Sequence, residues 1–282
     1  MNRTMITATN TMSQLQHKMD IIGHNLANVQ TNGFKRKETY FNELLFQEFN
    51  NQIHSNREIG RLTPNGIRQG VGAKLSQTKL VLAQGSLKPT GRDLDVALTK
   101  EDLFFKVRVT ENNREAIHLT RDGAFYLNPV APGSNNLMLV TSSGYPILDE
   151  FNQPIIVTGS VKNITFTEHG ELIVEKDNLQ KQTFSLGIVS VKKPQYLEQK
   201  MNNTLGLSNE ADELGIEEDA IYTDLNGGLR QNIALQQRTL EASNVDMSKE
   251  MTDLINLQRH YQFQARSVTL ADQMMGLING IR

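Results

Sequence analysis

Residues 240–275 read LEASNVDMSKEMTDLINLQRHYQFQARSVTLADQMM, and in them Leu240, Met247, Leu254, Tyr261, Val268 and Met275 recur seven apart. Seven residues are close to two turns of an α-helix, so the six side chains stack into one long seam. No proline follows Pro194, and nothing in the last fifth of the chain forbids a helix. The spacing predicts a helical segment within 230–282 that carries an apolar strip along one side.

The opening residues repeat the pattern. Met5, Met12, Met19 and Leu26 form one series; Ala8, Leu15, Ile22 and Val29 form another, offset by three. These are the a and d positions of a coiled-coil strip, with Thr, Asn, Gln, Lys and Asp in most positions between. Asn32-Gly33 supplies the left-handed stop expected after a helix, so the first arm is read as 1–33. The chain leaves along one helix and returns along the other, so if they touch they most simply run antiparallel. A helix of about 28 residues is roughly 42 Å long, and neither end has a core of its own to cover such a strip. The seams must meet each other or the same seams on other copies.

Between the arms the character changes three times. Residues 34–73 read as an extended connector: Phe34-Lys35-Arg36-Lys37 is a basic run expected to be solvated at a helix C-terminus, and Tyr40 to Phe49 suits a short amphipathic helix. From 74 to 200 short apolar runs are separated by turn glycines at Gly123, Gly133, Gly144, Gly159 and Gly170. Phe105, Val107 and Val109 alternate with Phe104, Lys106 and Arg108, which reads as a strand with one wet face. Asp122-Gly123 is the strongest hairpin signal. Repeated short strands indicate an antiparallel all-β body. Residues 201–229, with Asn202-Asn203 and an acidic run at Glu210–Asp219, read as the return connector. The expected fold class is α+β: a discontinuous helical coiled-coil domain from both termini, with an antiparallel all-β body inserted.

Composition narrows the function. The 282 residues are 38% hydrophobic and 21% charged with a formal net charge of −2, ordinary for a soluble chain and no electrostatic case for nucleic acid. No apolar run reaches the roughly 18 residues of a membrane span, and no secretory signal pattern opens the chain. Those rules alone place it in the cytosol unless export uses another route. Cysteine is absent, which removes disulfides and thiolate chemistry.

No motif for catalysis, cofactor binding or a metal emerges. His17 and His24 are seven apart on the first helix, about 10.5 Å along its axis and too far to share an ion unaided. Asp93 and Asp95 could imitate a glycosidase pair, but their alternation with Leu94, Val96 and Leu98 is explained by a two-faced strand. Met5, Met12 and Met19 keep heptad phase, which favours packing over a soft-metal box. What remains is an uncovered helical seam, and that points to assembly.

Three stretches then resemble the bacterial flagellar rod, hook and hook-associated axial proteins. Residues 25–35, NLANVQTNGFK, resemble the N-terminal signature of that family. Residues 85–98, GSLKPTGRDLDVAL, followed by Phe104-Phe105-Lys106-Val107 and Leu119-Thr120-Arg121-Asp122-Gly123-Ala124-Phe125, are similar to its early β motifs. Leu240-Glu241-Ala242-Ser243-Asn244-Val245-Asp246, with Glu250-Met251 and Gln258-Arg259-His260-Tyr261, resembles its C-terminal pattern. All three stand in the family's order, and the forms look most like the rod branch, at its distal end.

The resemblance implies a structural subunit of the basal-body rod that self-assembles into a tube and transmits torque from motor to hook. Its implied partners are copies of itself, other rod and hook proteins, and the flagellar type III export apparatus, which delivers without a cleaved signal peptide. Neither nucleic acid nor membrane insertion is implied. The assembly interface is expected at Met5, Met12, Leu15, Met19, Ile22, Leu26 and Val29 on the first arm. On the second it is expected at Leu240, Met247, Met251, Leu254, Tyr261, Val268 and Met275. Asn25, Asn28, Gly33, Asn244 and Gln258 join them, the amides making interhelical hydrogen bonds that fix register, as single polar seam residues can. Alternatives are a hook or hook-associated subunit and, from another class, a secreted carbohydrate-binding or hydrolytic β protein using Asp93 and Asp95.

Overall fold

The computed structural model describes residues 2–43, 47–49, 67–70, 72–75, 78–111, 114–131, 135–176, 180–208 and 215–280. They divide into two compact units. One comprises Met1–Leu26, Lys37–Thr78 and Met247–Arg282; the other comprises Ala27–Arg36 and Lys79–Asp246. The architecture is α+β, with long helices at the termini and antiparallel sheets between them in sequence.

The helical unit is built on α1 (Asn2–Ala27) and α2 (Met247–Gly280). Leu15 and Ile22 of α1 pack with Leu257 of α2, flanked by Met19, Leu254 and Tyr261. Asn25 near the end of α1 bonds Glu250 in the first turn of α2, so the helices run antiparallel. Two short antiparallel pairings complete the unit, Phe41–Glu43 with Ala73–Leu75 and Gln47–Phe49 with Ile67–Gln69. The Gln14 side chain takes the Leu75 amide at 2.9 Å, and the Lys18 ammonium lies 5.0 Å from the Phe41 ring centre. Part of the Tyr40–Phe49 stretch is therefore strand, not the amphipathic helix expected: the pairing is made with residues about twenty to thirty positions later, which local sequence does not announce. Residues 50–66 of the expected connector lie outside the described residues.

Both arms are shorter as helices than the spacing suggested. The helix α1 stops at Ala27, where a chain of turns begins: the Thr31 amide donates to the Asn28 carbonyl, and the Thr31 hydroxyl to the Asn28 side chain. Asn28, Val29 and Gly33 thus stand beyond the helix. At the other end Leu240 falls in the strand Thr239–Glu241, which pairs with Leu87–Pro89. Its heptad phase with Met247 is coincidence, since a long-range ladder claims the segment.

The β unit is organised by a six-stranded antiparallel sheet in the order Leu197–Gln199, Thr204–Leu207, Arg114–Thr120, Leu103–Glu111, Ile188–Val191, Tyr222–Asp224. On one face Phe105, Val107 and Val109 enter a core with Phe125, Leu139, Val157, Leu172, Val174 and Leu235. Phe105 and Phe125 meet edge-on at 5.1 Å, a favoured aromatic geometry. The opposite face is covered as well: Phe104, Leu119, Val189, Val191, Leu205 and Ile221 form a second cluster. The expected wet face of strand Leu103–Glu111 is therefore dry at Phe104 and at Lys106, whose ammonium donates to Asn152 Oδ1 at 2.7 Å and pairs with Asp224 at 3.2 Å.

Three-stranded sheets Phe125–Pro129/Asn136–Thr141/Ile156–Thr158 and Val161–Phe166/Glu171–Lys176/Lys181–Ser185 add further residues to the main core. Asp122-Gly123 is not a hairpin tip. It carries the chain from the six-stranded sheet into the next one, and a Cβ on Gly123 would sit 1.6 Å from the Val96 carbonyl oxygen. The expected return connector 201–229 contributes two strands of the large sheet. Polar composition misled there: Tyr222–Asp224 is an edge strand, and Thr204–Leu207 is paired on both sides by strands distant in sequence or across a short turn.

Candidate assembly surface

The inner seam is the first element of the site. On α1, Ala8, Leu15 and Ile22 are buried, while Met5, Met12, Met19 and Leu26 are half-buried beside them. On α2, Leu254, Tyr261, Val268 and Met275 are half-buried, and the buried row is Glu250, Leu257 and Ala271 with half-buried Gln264. That row is offset by three from the expected one. Sequence reading missed it because two of its four members are polar. Met247, Met251 and Gln258 lie off the seam and are exposed.

The second element was not anticipated. Phe263, Leu270 and Leu277, themselves seven apart, are 62%, 57% and 69% exposed, and Met274 beside Leu270 is exposed too. At 100° per residue Leu270 stands about 140° around the helix from Leu257. The helix α2 therefore has two apolar rows on nearly opposite sides: one covered by α1, the other exposed among the described residues. The outer face of α1 differs, with Asn10, Ser13, Gln16, His17, Asp20 and His24 exposed. Large apolar side chains exposed in a repeating row mark a candidate contact surface.

The motif residues serve the inside of the molecule. Asn25, buried, donates through Nδ2 to the Lys37 carbonyl at 2.9 Å and to Glu250 Oε1 at 3.3 Å, and accepts the Lys37 amide at 3.0 Å. The bond to Glu250 joins the two helices; the others imitate backbone pairing. Asn244 accepts the Arg36 amide at 2.8 Å and donates to the carbonyls of Val81 and Ala83 at 2.8 and 2.9 Å. These are clamps within the β unit, not bonds between helices. Gly33 has φ 66° and donates to the Glu241 carbonyl at 2.8 Å; a Cβ there would meet the Arg121 backbone at 2.5 Å.

Lys35, read as part of a solvated basic run, is 2% exposed and pairs with Glu241 at 2.8 Å. Glu241 also takes Arg121 Nε at 2.6 Å and the Gly85 amide at 2.8 Å. Burial foremost, then the neighbouring Arg121 charge, lowers the Lys35 pKa, while Glu241 opposes that shift. Its partner lies 206 residues away in sequence, so no local signal could have found it. Asp93 and Asp95 do not act as a pair: Asp93 is held by Arg238 at 2.6 Å and Asp95, buried, by Arg92 at 3.2 Å. Among the described residues no helix is long and apolar enough to cross a membrane.

Residues 5–35 match the family model described as flagella basal body rod protein, and residues 236–281 match that for the C-terminal part of flagellar basal body rod FlgEFG proteins. The flagellar hook-basal body complex protein FlhP of Bacillus subtilis is 44% identical over 284 residues, covering 100% of both chains. The flagellar basal-body rod protein FlgG of Buchnera aphidicola is 33% identical, with 92% of each chain covered. FlgG of Borreliella burgdorferi is 30% identical over 100% of this chain and 99% of its own length.

Proposed function

The chain belongs to the flagellar basal-body rod family, and from that membership we propose that the outward row of α2 is its principal contact with neighbouring axial subunits. As a family member it is a structural subunit of the basal body, built into the rod that carries torque from motor to hook. The observation that supports the contact is the second apolar row, Phe263, Leu270 and Leu277, which α1 leaves bare. Covering three such side chains, already about two-fifths buried, is worth roughly 1–2 kcal/mol each. That is modest for one contact and sufficient when repeated along a tube, where every copy is held by several others.

The inner seam has a different role in this reading. Leu15, Met19 and Ile22 pack with Leu254, Leu257 and Tyr261 to hold the two helices together. The outer row then presents that pair to its neighbours, which are copies of the chain and other rod or hook proteins. Delivery runs through the flagellar type III export apparatus to an extracytoplasmic position in the basal body, with no cleaved signal peptide. Purified basal bodies from cells expressing a tagged chain should contain it in the rod fraction. Its absence there, with normal motility in a strain lacking the gene, would contradict the reading.

A further inference from the structure

The segment 33–36 is seated on the β unit chiefly by backbone and side-chain groups of Glu241 and Asn244, with the Val81 amide donating to the Arg36 carbonyl at 3.0 Å. The Gly33 amide donates to the Glu241 carbonyl, Lys35 Nζ to Glu241 Oε1, and the Arg36 amide to Asn244 Oδ1, while the Asn244 amide donates to the Phe34 carbonyl. Lys35 also donates to the carbonyls of Leu82 and Ala83 at 3.1 and 2.9 Å. Phe34, between them, is 1% exposed. The same Glu241 carboxylate neutralises Arg121, which donates further to the carbonyls of Glu101, Leu98 and Leu103 and lies 5.6 Å from the Phe104 ring centre.

The charge balance makes this arrangement conditional. Lys35 and Arg121 are two buried cations that share one anion. Without the Glu241 carboxylate they would face each other in a site that excludes water, and breaking such a buried pair is strongly unfavourable. Arg121 is fixed by three backbone carbonyls of the sheet core, whereas Lys35 keeps only those of Leu82 and Ala83 and stands on a short segment whose displacement would carry its charge out to water. The backbone approaches are equally tight: a Cβ on Gly85 would lie 1.9 Å from the Ala242 carbonyl oxygen, so residues 241–244 seat in one register only.

We infer that Glu241, with Asn244, is a latch: residues 33–36 dock on the β unit only once residues 239–244 are already seated. The segment that follows α1 and the one that precedes α2 are thereby held side by side through one carboxylate. A chain whose last strand has not yet added keeps its N-terminal segment undocked, however complete the sheets behind it. Because the latch lies wholly within the β unit, it is independent of which surface of α2 meets neighbouring subunits.

Limited trypsin digestion of the full chain under native conditions tests this, since the segment carries its own cleavage sites after Lys35 and Arg36. In Glu241→Gln, cleavage there should rise on the order of a hundredfold, reflecting the larger open population. Cleavage after Lys106 and Arg108 in the central strand should not change. Adding Lys35→Met to Glu241→Gln removes the stranded cation and should restore protection at Arg36. Unchanged protection in Glu241→Gln, or an equal rise at Lys106 and Arg108, would overturn the latch. Should Glu241→Gln not fold, Asn244→Ala keeps every charge and removes only the clamp. It should raise cleavage at residues 35 and 36 selectively, and no selective rise would refute the inference.

Discussion

Leu270→Asp is the perturbation that separates the two rows of α2 most sharply. Leu270 is 57% exposed and stands on the side of the helix away from α1. In the free chain the substitution touches no core, so the unfolding free energy should move by no more than about 0.5 kcal/mol. In an assembly that covers the row, the variant loses roughly 1–2 kcal/mol of apolar burial and must also desolvate a carboxylate, which costs several kcal/mol more. A combined penalty of about 4 kcal/mol per contact lowers association close to a thousandfold. The assay pairs circular dichroism and thermal unfolding of the purified variant with its ability to restore swimming in a strain lacking the chain. A native-like unfolding curve with no swimming and no rod incorporation is expected. Full swimming would show that this row is not covered in the rod, and the argument from exposed periodicity would fail with it.

Three other outcomes follow from the packing. Leu257→Ala empties the centre of the Leu15–Ile22–Leu257 cluster and should destabilise the helical unit by about 2–4 kcal/mol; amide exchange should quicken in α1 and α2 but not in strand Leu103–Glu111. Gly33→Ala combines a left-handed φ with a Cβ at 2.5 Å from the Arg121 backbone, and its cost of about 3 kcal/mol or more should appear as a lower unfolding midpoint. The buried Tyr222 phenol donates to Glu218 Oε2 at 2.7 Å, and burial foremost, then Glu218, raises its pKa above the ordinary value. The unfolded phenol ionises near pH 10 while the folded one stays protonated, so above that pH the folded state binds more protons and stability falls. The slope is at most about 1.4 kcal/mol per pH unit, and Tyr222→Phe should flatten it in denaturant titrations.

The helices were legible because apolar periodicity is a local signal: Leu15, Ile22, Leu254 and Tyr261 sit on the inner seam where the sevenfold spacing places them. The same spacing overran at Leu240, since heptad phase says nothing of a ladder formed with Leu87–Pro89 far earlier in the chain. The outer row was legible too, in Phe263, Leu270 and Leu277, but a single-seam reading assigns one face and stops. Lys35 and Lys106 were misjudged for a different reason. Charged residues read as solvated unless a partner is known, and Glu241 and Asp224 are supplied by distant sequence. Of the motif amides, Asn25 bonds across the helix pair. Asn244 acts on backbone groups within the β unit, where sheets and long-range turns create needs that no local pattern displays.

The chain contains no cysteine, so Leu270→Cys introduces a single reporter thiol on the outer row. Maleimide labelling of that thiol should be fast in the purified chain and strongly suppressed in isolated basal bodies, as it is for a side chain covered by neighbouring axial subunits. Equal labelling in both would mean that the outer row of α2 remains in water after assembly, and the proposed contact would have to be abandoned.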